Sequence, residues 1–339
     1  MKPLFALAVC ILVFSAVAAE LDMNLLKAIG NDRTRWAAHS HGAETRECFR
    51  VVDSGGKPVT NANVRCAFKV GVGASGLQDV YGVTDTNGLC TINGMCKAYM
   101  DYSVAKDGYY CSHGKVDYME TTRVPAVIGG KWQPYGETRT VVLKQIRQPQ
   151  DMLGVDCPPQ RKIRIYDEWL GVDLAKGDFV PPVGNGCEPD MLVRFHLAGE
   201  MPYDWSIRMD VSFTNSPYAG AYRLKMDNWS DMKSVYQADT NATYLSELSF
   251  RYAREKGKRT PNMEKLGKDE YLVFRTRTKV DGGGKLLSAR YGKLYGPWHF
   301  EDAGGFRIHK VFLNRNDNDV NLEDTWTIEN AKKYRSHLR

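Results

Sequence analysis

The side chains most able to do chemistry in this 339-residue chain are its histidines, cysteines and clustered carboxylates, and each group can be tested against a known use. His39-Ser40-His41-Gly42-Ala43-Glu44 contains H-x-x-E, a spacing that can place imidazole and carboxylate on one zinc ion. A zinc carboxypeptidase needs a large α/β domain and a distant third ligand. The residues that follow here alternate as short strands do, which excludes that enzyme. What remains is a surface clip of His39, His41 and Glu44 for zinc or copper, set against a plain solvated loop. Gly71-Val72-Gly73-Ala74-Ser75-Gly76 fits G-x-G-x-x-G, but a dinucleotide site needs a helix after it, and Gln78 to Val83 reads as a strand. A flexible inter-strand loop is the reading. Asp317-Asn318-Asp319-Val320-Asn321 offers oxygens at alternate positions, yet Leu322 stands where a calcium loop needs Gly, so it reads as a turn rich in Asn and Asp. His196, His299 and His309 fall on or beside predicted strands without the tight His-x-His spacing of a metal site. Cys111 and His113 are two apart and share a strand face, which suits a structural cysteine. No G-x-S-x-G elbow occurs. No catalytic residue, metal ligand or cofactor is assigned.

The aromatic side chains offer binding rather than catalysis. Seven Trp and eighteen Tyr are present, and an aromatic face stacks on the apolar C–H face of a sugar. Trp205, Trp229 and Trp298 fall at predicted strand ends or loops, where binding residues collect, and are the candidate ligand-binding residues. The competing reading places them in the core, since large aromatics dominate burial. Asn228-Trp229-Ser230 and Asn241-Ala242-Thr243 are glycosylation sequons only in a eukaryotic source.

The elements that would hold these residues are strands. Val64, Cys66 and Phe68 alternate with Arg65 and Lys69; Met100, Tyr102 and Val104 alternate with Asp101 and Ser103. Asp53-Ser54-Gly55-Gly56 and Asp85-Thr86-Asn87-Gly88 supply turns. In the second half, Ile207, Met209, Val211 and Phe213 alternate with Arg208, Asp210, Ser212 and Thr214. Asp281-Gly282-Gly283-Gly284 joins Tyr271–Val280 to Lys285–Tyr295 as a hairpin. Met191–His196 and Phe306–Leu313 add strands. Arg251–Lys268 is charged and reads as a long loop, Leu21–Ile29 as one short helix, and Glu329–Tyr334 as a polar C-terminal helix. The pattern predicts an all-β protein.

The opening segment sets a compartment. Lys2, the apolar run Leu4–Ala19 and the small residues Ala16-Val17-Ala18-Ala19 fit a cleaved signal peptide, too short to span a bilayer comfortably. Of eight cysteines, Cys10 leaves with that peptide. In an oxidising compartment most of the other seven are expected to pair, with Cys157 and Cys187 the candidate within-domain disulfide. The formal charge of +6 is spread along the chain, so nucleic acid is not expected as a partner.

Val51-Val52-Asp53-Ser54-Gly55-Gly56-Lys57-Pro58-Val59, Thr84-Asp85-Thr86-Asn87-Gly88 and Val104-Ala105-Lys106-Asp107-Gly108-Tyr109 together resemble the carboxypeptidase regulatory-like domain. The likeness covers residues 46–147. It implies a transthyretin-like Greek-key β-sandwich and an accessory role. Asn87 stands where the family has Asp, the loop from Gly71 to Gln78 is enlarged, and Cys90, Cys96 and Cys111 lie outside its pattern. These motifs are turn chemistry, so they speak to fold more than to function.

The expected organisation is a signal peptide (1–19), an N-terminal extension (20–45), the regulatory-like sandwich (46–147), a linker (148–156), a second sandwich or jelly roll (157–326) and a tail (327–339). The expected function is non-enzymatic binding or scaffolding at the cell envelope or outside the cell, with no transmembrane segment after cleavage. Its partners would be glycans or other envelope proteins. A carbohydrate-binding module and a secreted hydrolase acting on glycans are the alternatives.

Overall fold

The computed structural model describes residues 28–329 except 72–75, 201–203, 215, 259–261 and 301–304. The signal peptide, the helix expected before Ala28 and the tail beyond Glu329 therefore lie outside the described residues. The chain is all-β and divides into two units between Gln145 and Ile146.

In the first unit a helix, α1 (Arg33–His41), precedes the sandwich. Asp32 caps it by accepting from the amides of Thr34 and Arg35, and Gly42, at φ +88°, ends it. Arg35 is almost fully buried and donates to the carbonyls of Met119, Thr121 and Arg123. Asp32 also accepts from Ala126 N. Burial opposes its charge, but these donors win and hold the carboxyl below its ordinary range. The segment read as an extension is thus fastened to the unit.

Two sheets follow. β1 (Ala43–Asp53) pairs antiparallel with β4 (Leu89–Cys96) and parallel with β9 (Thr138–Leu143), beside the short β7 (Val127–Ile128) and β8 (Lys131–Trp132). The other sheet runs β3 (Leu77–Val83), β2 (Asn63–Lys69), β5 (Tyr99–Ala105), β6 (Ser112–Asp117). Phe49, Val64, Phe68, Ile92, Met100 and Trp132 close between them. Each such side chain contributes about 1.5–3 kcal/mol on full burial. The turns are built alike: Asp53 accepts from the amides of Gly55 and Lys57, and Asp85 from those of Asn87 and Leu89. Gly88 is required, since a Cβ there would lie 2.4 Å from the Val51 carbonyl oxygen.

The second unit has two antiparallel sheets. One runs β10 (Leu153–Lys162), β21 (Gly305–Leu313), β19 (Leu286–Tyr295), β18 (Glu270–Val280), β15 (Gly220–Lys225), with β20 (His299–Phe300) on β21. The other runs β12 (Asp178–Phe179), β11 (Leu170–Asp173), β13 (Met191–Glu200), β14 (Asp204–Ser212), β16 (Glu247–Arg254), β17 (Asn262–Glu264). Ile207, Met209, Val211 and Phe213 point inward together, packed with Phe250, Phe274 and Phe306. The outer face of the first of these sheets is covered as well, with Tyr271, Val273, Tyr291 and Phe312 packed under Ala238 and Leu322. Asp281 repeats the Asp turn of the first unit, accepting from Gly283 N and Lys285 N.

Three segments depart from expectation. The run read as a linker enters β10 at Leu153 and is tied down before it, since Glu323 accepts from the amides of Arg147 and Gln148. The charged run read as a loop from Arg251 stays in β16 through Arg254, because Arg208↔Arg251 and Trp205↔Arg254 continue the β14 ladder; both arginines are exposed, Arg254 at the strand's end. A third is small: helix begins at Thr325, ahead of the expected Glu329, because Asp324 accepts from Thr327 N.

Candidate functional site

A built recess in the second unit forms where β18 breaks its own register. The ladder with β19 shifts between Thr276 and Lys279, and Arg277 takes φ +49°, a left-handed conformation that costs a non-Gly residue energy and marks functional sites. The bulge turns its guanidinium inward. Nε and Nη2 donate to Asp190 at 2.8 and 3.0 Å, Nη2 lies 3.3 Å from Asp173, and Nη1 lies 3.3 Å from Glu188. Asp190 is 0 % exposed, and its contact raises the pKa of Arg277. Asp173 orders the 173–190 loop by accepting from the amides of Lys176, Cys187 and Glu188. Burial opposes its charge, but those donors and Arg277 prevail and lower its pKa.

This bulge floors a cavity of about 460 Å³. Opposite Arg277, Asp317 is held by Arg290 at 2.8 Å and Lys279 at 3.7 Å, and the Arg290 hydrogen bond keeps its pKa low. Ser216 and Thr278 share a hydroxyl hydrogen bond in the wall. Tyr218, 55 % exposed, follows Pro217 in the chain at the edge of that wall but does not itself line the cavity. Its φ is +58°. Its hydroxyl donates to the Gly284 carbonyl at 2.7 Å, and its backbone carbonyl accepts from Arg275 Nε at 2.8 Å. Paired charges and an exposed ring anchored through its hydroxyl offer directional donors, acceptors and a stacking face.

The tryptophans chosen from sequence do not form this site. Trp205 is 4 % exposed against Tyr252, and Trp298 is 0 % exposed against Phe250. Their strand-end positions turn into the sandwich, so both belong to the core and neither can stack on a ligand. Trp229 is half-buried and does not line the cavity. Tyr218 was missed because Ser216-Pro217-Tyr218 reads only as a turn; its left-handed backbone is invisible in sequence.

The other candidates resolve individually. His39 and His41 sit exposed in the last turn of α1 rather than in a loop, and Glu44 is engaged by the Tyr135 hydroxyl. His196 is held between Asp167 and Asp210; the side chains of His299 and His309 lie outside the described residues. Cys111 Sγ is 4.0 Å from His113 Nδ1. Residues 72–75 of the glycine-rich loop are not described, and the strand β3 follows them directly. Asp317–Asn321 is a turn, with Asn318 accepting from Ala289 N. A smaller recess of about 200 Å³ in the first unit has Glu47 at its floor, closed by the Tyr118 hydroxyl at 2.6 Å. Burial and Glu47 push the Tyr118 pKa up.

The cysteines are a correction. Cys48, Cys66, Cys90, Cys96, Cys111 and Cys187 are all free thiols, although most were expected to pair; the side chain of Cys157 lies outside the described residues. Cys187 is exposed and accepts from Lys176 Nζ at 2.9 Å, whereas burial pushes the Cys96 thiol up to about 11. A maleimide added to the native protein is therefore expected to modify Cys187 well before Cys66 or Cys96. Peptide mapping that found Cys96 labelled first would contradict this order.

Among the described residues no helix is long and apolar enough to cross a membrane. No family model matches the chain, and no curated protein matches it. Solved structures with some likeness include 3-chlorocatechol 1,2-dioxygenase from Rhodococcus opacus 1CP, at 11 % identity and TM-score 0.24 over 31 % of this chain and 61 % of that one. The full-length major pilin SpaD from Corynebacterium diphtheriae gives 11 % and 0.23 over 84 % of each chain. BcpA, the major pilin subunit of Bacillus cereus, gives 10 % and 0.19 over 83 % and 100 %. The chain spans less than two thirds of the length of that dioxygenase. At these scores the likenesses carry no function across.

Proposed function

We propose that this chain is an exported, non-enzymatic binding protein whose ligand is a glycan, held in the recess at the β18 bulge. The observation that carries the reading is Tyr218, an exposed ring whose hydroxyl is held by Gly284 and whose backbone is held by Arg275, one residue on from the lining Pro217 of a cleft of ion-paired side chains. Such pairs hold hydrogen-bond donors and acceptors in fixed directions, as a polyhydroxylated ring requires, while a rigid aromatic face loses little entropy on stacking. Arg277, Glu188, Arg290 and Asp317 already satisfy one another, which suits recognition better than proton transfer. The first unit is proposed as a carboxypeptidase regulatory-like accessory module, supported by its Asp53 and Asp85 turns. The export signal is proposed to be cleaved after Ala19, which N-terminal sequencing of the exported protein would check.

A glycan array followed by calorimetry on the best ligand tests the function. Tyr218→Gly removes the ring at a position whose backbone favours Gly, so it is expected to weaken binding about tenfold or more. Stability should change by less than about 1 kcal/mol, because relieved strain offsets the lost ring contacts. An array without any glycan hit, or a hit whose affinity survives Tyr218→Gly, overturns the proposal.

A further inference from the structure

Edge strands expose unpaired amides and carbonyls, and soluble proteins blunt them with lysine, proline, a bulge, an inward charge or extreme shortness. In the second unit β15 carries Arg223 and Lys225 at the edge, and β12 and β17 are only two and three residues long. Of these devices β3 has only a single charge, Asp79. Leu77-Gln78-Asp79-Val80-Tyr81-Gly82-Val83 pairs with β2 through seven consecutive residues without a register shift, and no described strand pairs with its outer edge. Its outward face is apolar apart from Asp79, with Leu77 37 %, Tyr81 56 % and Val83 56 % exposed. The lone charge, Asp79, is neutralised by Arg65 of β2 at 2.8 Å.

We propose that β3 is a self-association surface, pairing antiparallel with β3 of a second copy of this chain about a two-fold axis at Val80. The sequence fits itself in that register. Leu77 faces Val83 of the other copy and Gln78 faces Gly82. Asp79 faces Tyr81, whose hydroxyl already lies 3.4 Å from Asp79 within one chain. No like charges oppose one another, and all seven residues find partners; an axis at Asp79 would set two carboxylates face to face. The dimer is isologous and closed on this surface, joining two four-stranded sheets into one of eight.

Sedimentation of the full chain over a concentration series, with hydrogen exchange on the same samples, tests this. The expected result is a monomer–dimer equilibrium in which the β3 amides gain protection as concentration rises. Tyr81→Lys and Val83→Lys, on exposed positions that leave the core intact, are expected to weaken dimerisation at least about tenfold. Met95→Lys, on the neighbouring edge strand β4, should leave it unchanged. A monomer up to millimolar concentration overturns the proposal. So does a dimer that survives both β3 substitutions, or one lost only in Met95→Lys.

Discussion

Arg277→Ala is expected to cost the second unit about 3–5 kcal/mol, because it leaves two buried carboxylates without their cation. Asp190 and Asp173 are 0 % and 2 % exposed, so both lose their counter-charge at buried positions. Asp190 keeps only the Leu174 amide and the Thr276 hydroxyl, and Asp173 keeps its loop amides. Arg277→Lys should recover only part of the loss, since an ammonium cannot reproduce the two-pronged contact with Asp190. Arg277→Gly separates backbone from side chain: it removes the unfavourable φ and should still be strongly destabilised. Lys279→Ala, at an exposed site in the same bulge, should stay within about 0.5 kcal/mol. Urea unfolding, read on the transition of the second unit, measures all four. A loss below about 1 kcal/mol for Arg277→Ala would show that Asp190 and Asp173 do not depend on it.

Lys293→Met should produce a loss of similar size by the same physics on the opposite face of the sheet. Its ammonium is 0 % exposed and donates to Asp324 at 2.7 Å, to the Leu322 carbonyl at 2.6 Å and to Ser234 Oγ at 3.1 Å. Removing it strands Asp324, and about 3–5 kcal/mol is expected. Adding Asp324→Asn should restore a good part, because a neutral amide tolerates burial better and can keep accepting from Thr327 N. The pH dependence has a definite sign. Burial disfavours the Lys293 charge, but Tyr295 and Asp324 outweigh it and raise the pKa above the ordinary 10.5. A group raised on folding stabilises fully below its unfolded value and ceases to as pH climbs through its folded one. The stability gap between parent and Lys293→Met should therefore be constant at neutral pH and begin to narrow only above about pH 10.5. Burial raises the tyrosine pKa values at 271 and 244 too; subtracting the two proteins removes that common part. A gap that closes below pH 9, or stays open throughout, would contradict the assignment.

Much of the fold could be read from residue types because its turns are encoded locally. Asp53, Asp85 and Asp281 each fold the chain back with one carboxylate on two amides, which needs no tertiary partner. The alternation from Ile207 to Phe213 is equally local. What escaped depends on distant contacts. α1 has little apolar periodicity and owes its place to Arg35 and Asp32 gripping residues 119–126. β16 looked too charged for a strand because only its register with β14 shows that Arg251 and Arg254 face water. The candidate site escaped for the same reason. Its central residues, Arg277 and Tyr218, are ordinary in type and distinguished by backbone angles that the loop 173–190 and the Gly284 turn impose. Trp205 and Trp298 were conspicuous in the sequence and turned out to serve packing.

The sheet holding β18 and β19 is insulated from water on both faces, by the opposing sheet and by the layer containing Ala238 and Leu322. Its central amides have no shallow route to solvent and should exchange only when the whole unit opens. Anything that must pull this protein apart, whether a protease, a translocation motor or mechanical tension at a surface, has to peel off the loop layer and the opposing sheet before it reaches the hairpin that carries the recess. The recess itself would go earlier, since it takes Asp317 from the covering loop layer and Ser216 and Pro217 from the loop before the edge strand β15.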